Sequence, residues 1–178
     1  MKRLVTVLFA VLLLTACAKK QETASQVKIS LPPAERAKIE TQIAGLEREI
    51  QDYHPAKEGD AIYAPVYLFI DLARGYESLG NYPQAIRIYQ KALSLHKQAQ
   101  AVVHNMGRLY EDMGDYPKAV EQYTILIKDY AQTNYWYDVT WAQIRAGKRK
   151  EAEKAFNQWQ NAFRKTDLQT QTAIKKMK

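Results

Sequence analysis

One stretch decides the fold, and it occurs twice: Tyr76-Glu77-Ser78-Leu79-Gly80-Asn81-Tyr82-Pro83-Gln84-Ala85-Ile86-Arg87-Ile88-Tyr89 and Tyr110-Glu111-Asp112-Met113-Gly114-Asp115-Tyr116-Pro117-Lys118-Ala119-Val120-Glu121-Gln122-Tyr123. Tyr76, Gly80, Tyr82, Pro83, Ala85 and Tyr89 each find their counterpart 34 residues on. A third copy follows at an offset of 33, where Gly147, Ala152 and Phe156 answer Gly114, Ala119 and Tyr123. A fixed period of this size marks a repeat architecture. Working outward, the segment before each glycine carries Phe69, Leu72, Ala73 and Tyr76, then Val103, Met106, Gly107 and Tyr110. These steps of three and four make one face of a helix. Gly80, Gly114 and Gly147 suit the left-handed conformation that ends a helix. Asn81 and Asp115 stand where a cap is wanted, and Pro83 and Pro117 in the first turn, where a missing N–H costs little. The second helices present Ala85-Tyr89-Ala92, Ala119-Tyr123-Leu126 and Ala152-Phe156-Trp159. Half of the twelve tyrosines are thereby assigned to packing.

This pattern resembles the tetratricopeptide repeat, a helix-turn-helix unit, over residues 66–165. The resemblance implies an all-α chain of about three helical hairpins, 66–99, 100–132 and 133–165 within 61–165, stacked as a short right-handed superhelix. Two departures stand out. The proline that closes such repeats is absent, with Lys97 and Ala131 near that place. The third copy has Thr140 and Gln143 where the others have a small residue and a tyrosine. That suits an end unit, which tolerates a looser pattern. Before the repeats, Ile39, Ile43, Leu46, Ile50 and Tyr53 step by four and three between Pro32-Pro33 and His54-Pro55. They predict an amphipathic helix over 34–53, within a capping segment of 34–60, serving as a cap on the first repeat or as the second helix of a degenerate one. Residues 166–178 form a basic tail or last helix, with Leu168, Ile174 and Met177 inward.

The N-terminus reads differently. Lys2 and Arg3 precede an apolar run, Leu4 to Leu14, and small residues lead to Cys17, the single cysteine. Charged, apolar, then small is the order of an export signal, and the run is too short to span a bilayer. Leu14-Thr15-Ala16-Cys17 resembles the lipobox of bacterial lipoproteins. The resemblance implies that 1–16 is removed, that Cys17 receives a diacylglyceryl group and that its new amine is acylated, as by palmitate. Ala18, in place of an aspartate, implies the outer membrane, with the protein lipid-anchored and facing the periplasm. Residues 17–33 then form a tether, polar and without aromatics, reaching about 20 Å as a coil and about 50 Å stretched.

The net charge of +7 is uneven: residues 145–178 hold ten Lys/Arg against three Asp/Glu, residues 17–144 fourteen against sixteen. The basic C-terminal third could bind an anionic polymer or lipid, and this is the alternative function. Export disfavours nucleic acid as a partner. No phosphate-cradling loop, nucleophile elbow or His-Glu-x-x-His motif occurs, and His54, His96 and His104 are not spaced as a helical metal pair. The chain is therefore read as non-enzymatic, with no cofactor, no metal and no small-molecule substrate.

What remains is recognition by shape. In the repeat family the first helices line the inner surface. Carried over unit by unit, this gives Tyr67, Ile70, Arg74, Glu77 and Ser78, then Ala101, His104, Arg108, Glu111 and Asp112, then Asn134, Tyr137, Trp141, Ile144 and Arg145. The expected partner groove is Tyr67, Arg74, His104, Arg108, Tyr137, Trp141 and Arg145, aromatics beside a line of bases, as binding hot spots often are. A peptide with an acidic or carboxylate group would suit it. The competing reading pairs Arg74 with Glu77 and Arg108 with Glu111, and packs Trp141 under the C-terminal helix. The Lys/Asn set by which some members of the family clamp a two-carboxylate tail is not present, apart from Asn105. The expected role is a scaffold or adaptor, or an assembly factor for pilus and secretion, outer-membrane or cell-wall machinery, held at the membrane by its lipid.

Overall fold

The computed structural model describes residues 30–53, 65–96, 98–163 and 167–177. The signal, Cys17, most of the tether, residues 54–64, Lys97, residues 164–166 and Lys178 lie outside the described residues. The described chain is all-helical. α1 spans Pro33–Gln51, α2 Val66–Ser78, α3 Tyr82–Leu95, α4 Gln100–Asp112 and α5 Tyr116–Asp129. A 3₁₀ turn, Thr133–Tyr135, leads into α6, Trp136–Arg145. α7, Arg149–Phe163, and α8, Leu168–Lys176, follow. No helix among the described residues is long and apolar enough to cross a membrane.

Three hairpins stack in order: α2 on α3, α4 on α5, α6 on α7, with each unit packed on the next and α1 packed on α2. Each hairpin turns the same way. Gly80, Gly114 and Gly147 have φ of 73°, 73° and 72°, a region that costs a side chain energy and costs glycine none. The residue after each glycine donates its N–H five residues back: Asn81 to Tyr76, Asp115 to Tyr110 and Lys148 to Gln143, at 2.8–2.9 Å. This closes the orphan carbonyls of the first helix. The side chains of Asn81 and Asp115 then accept the N–H of Gln84 and Lys118, satisfying donors at the start of the second helix.

The core lies between paired helices. Tyr89, Tyr123, Phe69, Leu109 and Leu126 are its largest fully buried side chains. Gly107 shows how tight the packing is. A Cβ there would stand 2.5 Å from Cε1 of Tyr123, so the tyrosine ring lies on bare backbone. Gly75 does the same for α1, since a Cβ would meet Cγ1 of Ile43 at 2.7 Å. Ile43 is the buried residue of α1, and Leu46, Ile50 and Tyr53 pack partly buried against the main core. Tyr76 ties the two helices together by donating its hydroxyl to Glu47, and burial with that carboxylate pushes its phenol up to about 12. α1 therefore caps the first unit.

A smaller second core, built from Ala152, Phe156 and Ile174 with Ile144 and Trp159 against it, joins α8 to the last hairpin. Here the expected register is corrected. Leu168 is not inward; it is 75% exposed. Asp167 caps α8 by accepting the N–H of Gln169, and its carboxylate also takes hydrogen bonds from Thr170 and Tyr137. That polar knot turns Thr170 inward, with Ile174 one turn later, so Leu168 faces solvent.

Candidate partner groove

Arg74 and Arg108 stand 34 residues apart, at the same position of α2 and α4. Stacking brings them to one cavity of about 260 Å³, lined also by Glu77, Ser78, Asn105 and Asp112. Its walls balance two guanidinium groups against two carboxylates. Asn105 is buried and held at both ends of its amide: Nδ2 donates to the Ala101 carbonyl at 2.8 Å, and Oδ1 accepts from Arg74 at 3.3 Å. The i, i+3 pairings of Arg74 with Glu77 and Arg108 with Glu111 are replaced by others. Glu77 accepts the Tyr89 hydroxyl at 2.7 Å. Glu111 accepts from Tyr123 at 3.2 Å and pairs with Arg145 at 2.8 Å. Burial raises the pKa of Glu77, opposed mainly by the bond from Tyr89.

The other groove residues read from the sequence are placed as follows. Tyr67 is exposed near the start of α2. His104 is half-buried between the rings of Tyr135, 5.3 Å away, and Tyr123, 6.3 Å away, and burial holds its pKa down. Tyr137 donates to Asp167 at 2.8 Å and lies 5.2 Å from the Trp159 ring, edge-on to Trp141, so it belongs to the junction with α8. Arg145 is engaged by Glu111, an ion pair that spans two units. Ile70 and Ile144 pack into the cores. Of the seven, Arg74 and Arg108 meet in one cavity.

Two features were missed at the level of sequence: the tyrosine that each of the named glutamates Glu77 and Glu111 receives, and a second cavity. Glu77 and Glu111 also stand 34 apart, one turn after Arg74 and near Arg108, and each lies twelve residues before the tyrosine it receives. That spacing was the available signal. The second feature is a larger cavity of about 570 Å³ between α1 and α2, lined by Ile39, Leu46, Gly45 and Asp71 among others, and by Arg74 and Ser78. No local pattern announces it, because it depends on how α1 is rotated against α2.

Asp138, beside this network, is pushed up to about 6 by burial and by the Glu111 carboxylate, with a backbone hydrogen bond and then Arg145 acting against both. No group of three or more His, Cys, Asp or Glu side chains among the described residues could hold a metal ion.

A family model of the tetratricopeptide repeat matches residues 78–140, from the last residue of α2, through α3, α4 and α5, into α6. The match covers about a third of the chain, and it supports a tetratricopeptide-repeat protein whose helices form the hairpins described above. No curated protein matches the chain.

Proposed function

We propose that this chain is a non-enzymatic adaptor of the bacterial cell envelope, held at the outer membrane by lipid on Cys17, that binds a protein or peptide partner along its stacked first helices. Repeats of this kind generally bind protein partners and are typically non-catalytic scaffolds. The observation that carries the reading is the meeting of Arg74 and Arg108, from consecutive units, in one cavity with the fixed amide of Asn105. Arginine on a concave face can hold a partner's carboxylates or backbone carbonyls with directed donors. Cross-linking in cells followed by mass spectrometry tests it, comparing the native protein with an Arg74→Glu, Arg108→Glu double variant of equal Tm. A protein captured by the native form and lost in the variant supports the adaptor and names its pathway; identical captures from both overturn the groove. The anchor has its own test. Cys17→Ser is expected to move the protein out of the membrane fraction or leave it unprocessed, and unchanged fractionation without a lipid label would reject the anchor.

One observation favours a second reading. Arg149 donates to the Met177 carbonyl at 3.1 Å, which brings the start of α7, with exposed Lys148 and Lys150, beside Lys175 and Lys176 at the end of α8. This basic end would suit an anionic polymer or lipid surface. Such binding should weaken steeply with added salt, whereas a peptide in the groove should respond less.

A further inference from the structure

We propose that the cavity of about 570 Å³ between α1 and α2 is a side-chain subsite of the partner groove, and that it receives one bulky apolar side chain of an extended peptide. This rests on the groove reading above and deepens it.

The first support is continuity. Arg74 and Ser78 line both this cavity and the one at Arg108. They sit one turn apart on α2, so the two cavities flank a single ridge. Packed helices stand about 8–10 Å apart, so α1, α2 and α4 together offer a track of roughly 20 Å. A peptide in extended form, rising about 3.3 Å per residue, would cover it with about six residues.

The second support is the lining. Ile39, Ile43 and Leu46 supply an apolar wall, while Glu49, Asp71 and Arg74 stand among the polar members. A lining that sets apolar side chains beside charged ones suits a chain that buries one side chain and keeps its backbone in polar surroundings.

The third support is Gly45. A glycine inside a helix costs about 0.8–1.0 kcal/mol relative to alanine. Gly75 and Gly107 have a packing reason, since Ile43 and Tyr123 lie where their Cβ atoms would be. Gly45 has none: a Cβ there would find nothing within 4 Å. Its missing side chain leaves space in the wall of the cavity, and α1 carries the cost without a gain in packing. Gly45 is exposed and lines the cavity, so a larger side chain at this position has room to enter it.

The open space also supplies the test. Gly45→Leu can fill the cavity from within while improving helix propensity. Full-length protein in detergent is titrated, by fluorescence anisotropy, into labelled hexapeptides in which Leu stands next to Asp, in both chain orders. Controls carry Ala for Leu or Asn for Asp. The native protein is expected to bind the Leu-Asp peptides at least tenfold more tightly than the Ala controls. Gly45→Leu should lose that tenfold preference with Tm unchanged or raised, and Gly45→Ala should keep most of it. If Gly45→Leu binds like the native protein while Arg74→Glu, Arg108→Glu binds more weakly, the groove stands and the subsite is overturned. If the native protein binds none of the peptides, the subsite is overturned, and the groove itself stands or falls by the cross-linking comparison. A native dimer in sedimentation that Gly45→Leu converts to monomer would give the cavity to a second copy, and would also overturn the peptide.

Discussion

In units one and two, the central aromatic of the second helix is a tyrosine whose hydroxyl donates to a glutamate twelve residues earlier: Tyr89 to Glu77 and Tyr123 to Glu111. In unit three both partners change together. Phe156 stands for the tyrosine and Ile144 for the glutamate, and the two join the same apolar cluster. A buried hydroxyl without an acceptor costs about 1–3 kcal/mol, whereas removing both partners in favour of apolar groups can be nearly neutral. The difference teaches that the hydroxyl and the carboxylate are one structural unit, present or absent together. The end unit is relieved of it and gains a purely apolar junction with α8. In the first two units the carboxylate also sits on the ridge beside Arg74 and Arg108, so the packing bond fixes a charge at the edge of the groove.

The largest expected effect tests whether the aromatic is the pivot of every unit. Tyr89→Ala and Tyr123→Ala should each cost about 3–5 kcal/mol as truncations of fully buried rings. Phe156→Ala, in the smaller core, should fall at the low end of that range. Urea unfolding with a common m-value measures this. A loss below about 1 kcal/mol for Tyr123 would place its ring in solvent and break the comparison. A smaller effect tests the coupling. Glu77→Ile and Tyr89→Phe should each cost about 1–3 kcal/mol, because each strands the other's partner. The double variant, which copies unit three into unit one, should recover at least about 1 kcal/mol of their sum. Strict additivity would mean that the bond couples nothing.

The junction of units two and three sharpens the same contrast through pH. Asp138 titrates at about 6 in the folded chain, against about 4 in the unfolded one. Between these values the folded state holds a proton that the unfolded state has released. The group therefore favours folding at low pH, and that contribution is lost as pH rises through about 6. Asp138→Asn should stabilise the protein at pH 7, by up to about 1 kcal/mol after allowance for solvent screening. The gain should shrink toward zero below pH 4. A gain independent of pH would show that charge at Asp138 is not what opposes folding.

What could be read from sequence divides along the same physical line. The hairpin ends were legible because Gly80, Gly114, Asn81 and Asp115 act through local backbone geometry, and the period copies them. The pairing of Arg74 with Arg108 in one cavity was also legible, since an offset of 34 returns a side chain to the same ridge. The environments of Tyr137 and Leu168 were not legible. Both are set by where α8 docks, and docking turns on the bonds that Asp167 receives from Thr170 and Tyr137, one of them thirty residues distant. Gly45 and Gly75 look alike in the sequence; only the rotation of α1 against α2 puts Ile43 over one and open space beside the other.

The smallest expected effect lies at a helix end that departs from the glycine rule. The first helices of all three units end on glycine with φ near +73°, yet α5 is followed by Ala131 at φ 54°. The turn there is fixed by the Gln132 N–H, which reaches back to the Leu126 carbonyl at 3.1 Å, so alanine is held in a region that costs an L-residue about 1–2 kcal/mol. Ala131→Gly removes that strain but adds about 0.4–1 kcal/mol of unfolded-state freedom. The net gain should be roughly 0.5 kcal/mol, read as a higher urea midpoint at constant m. Because Ala131 is exposed, its methyl has little packing to lose. A clear loss of stability would mean that the backbone at this end relaxes out of the left-handed region. The second-helix ends would then follow a different rule from the first-helix ends, where φ > 0 is obligatory.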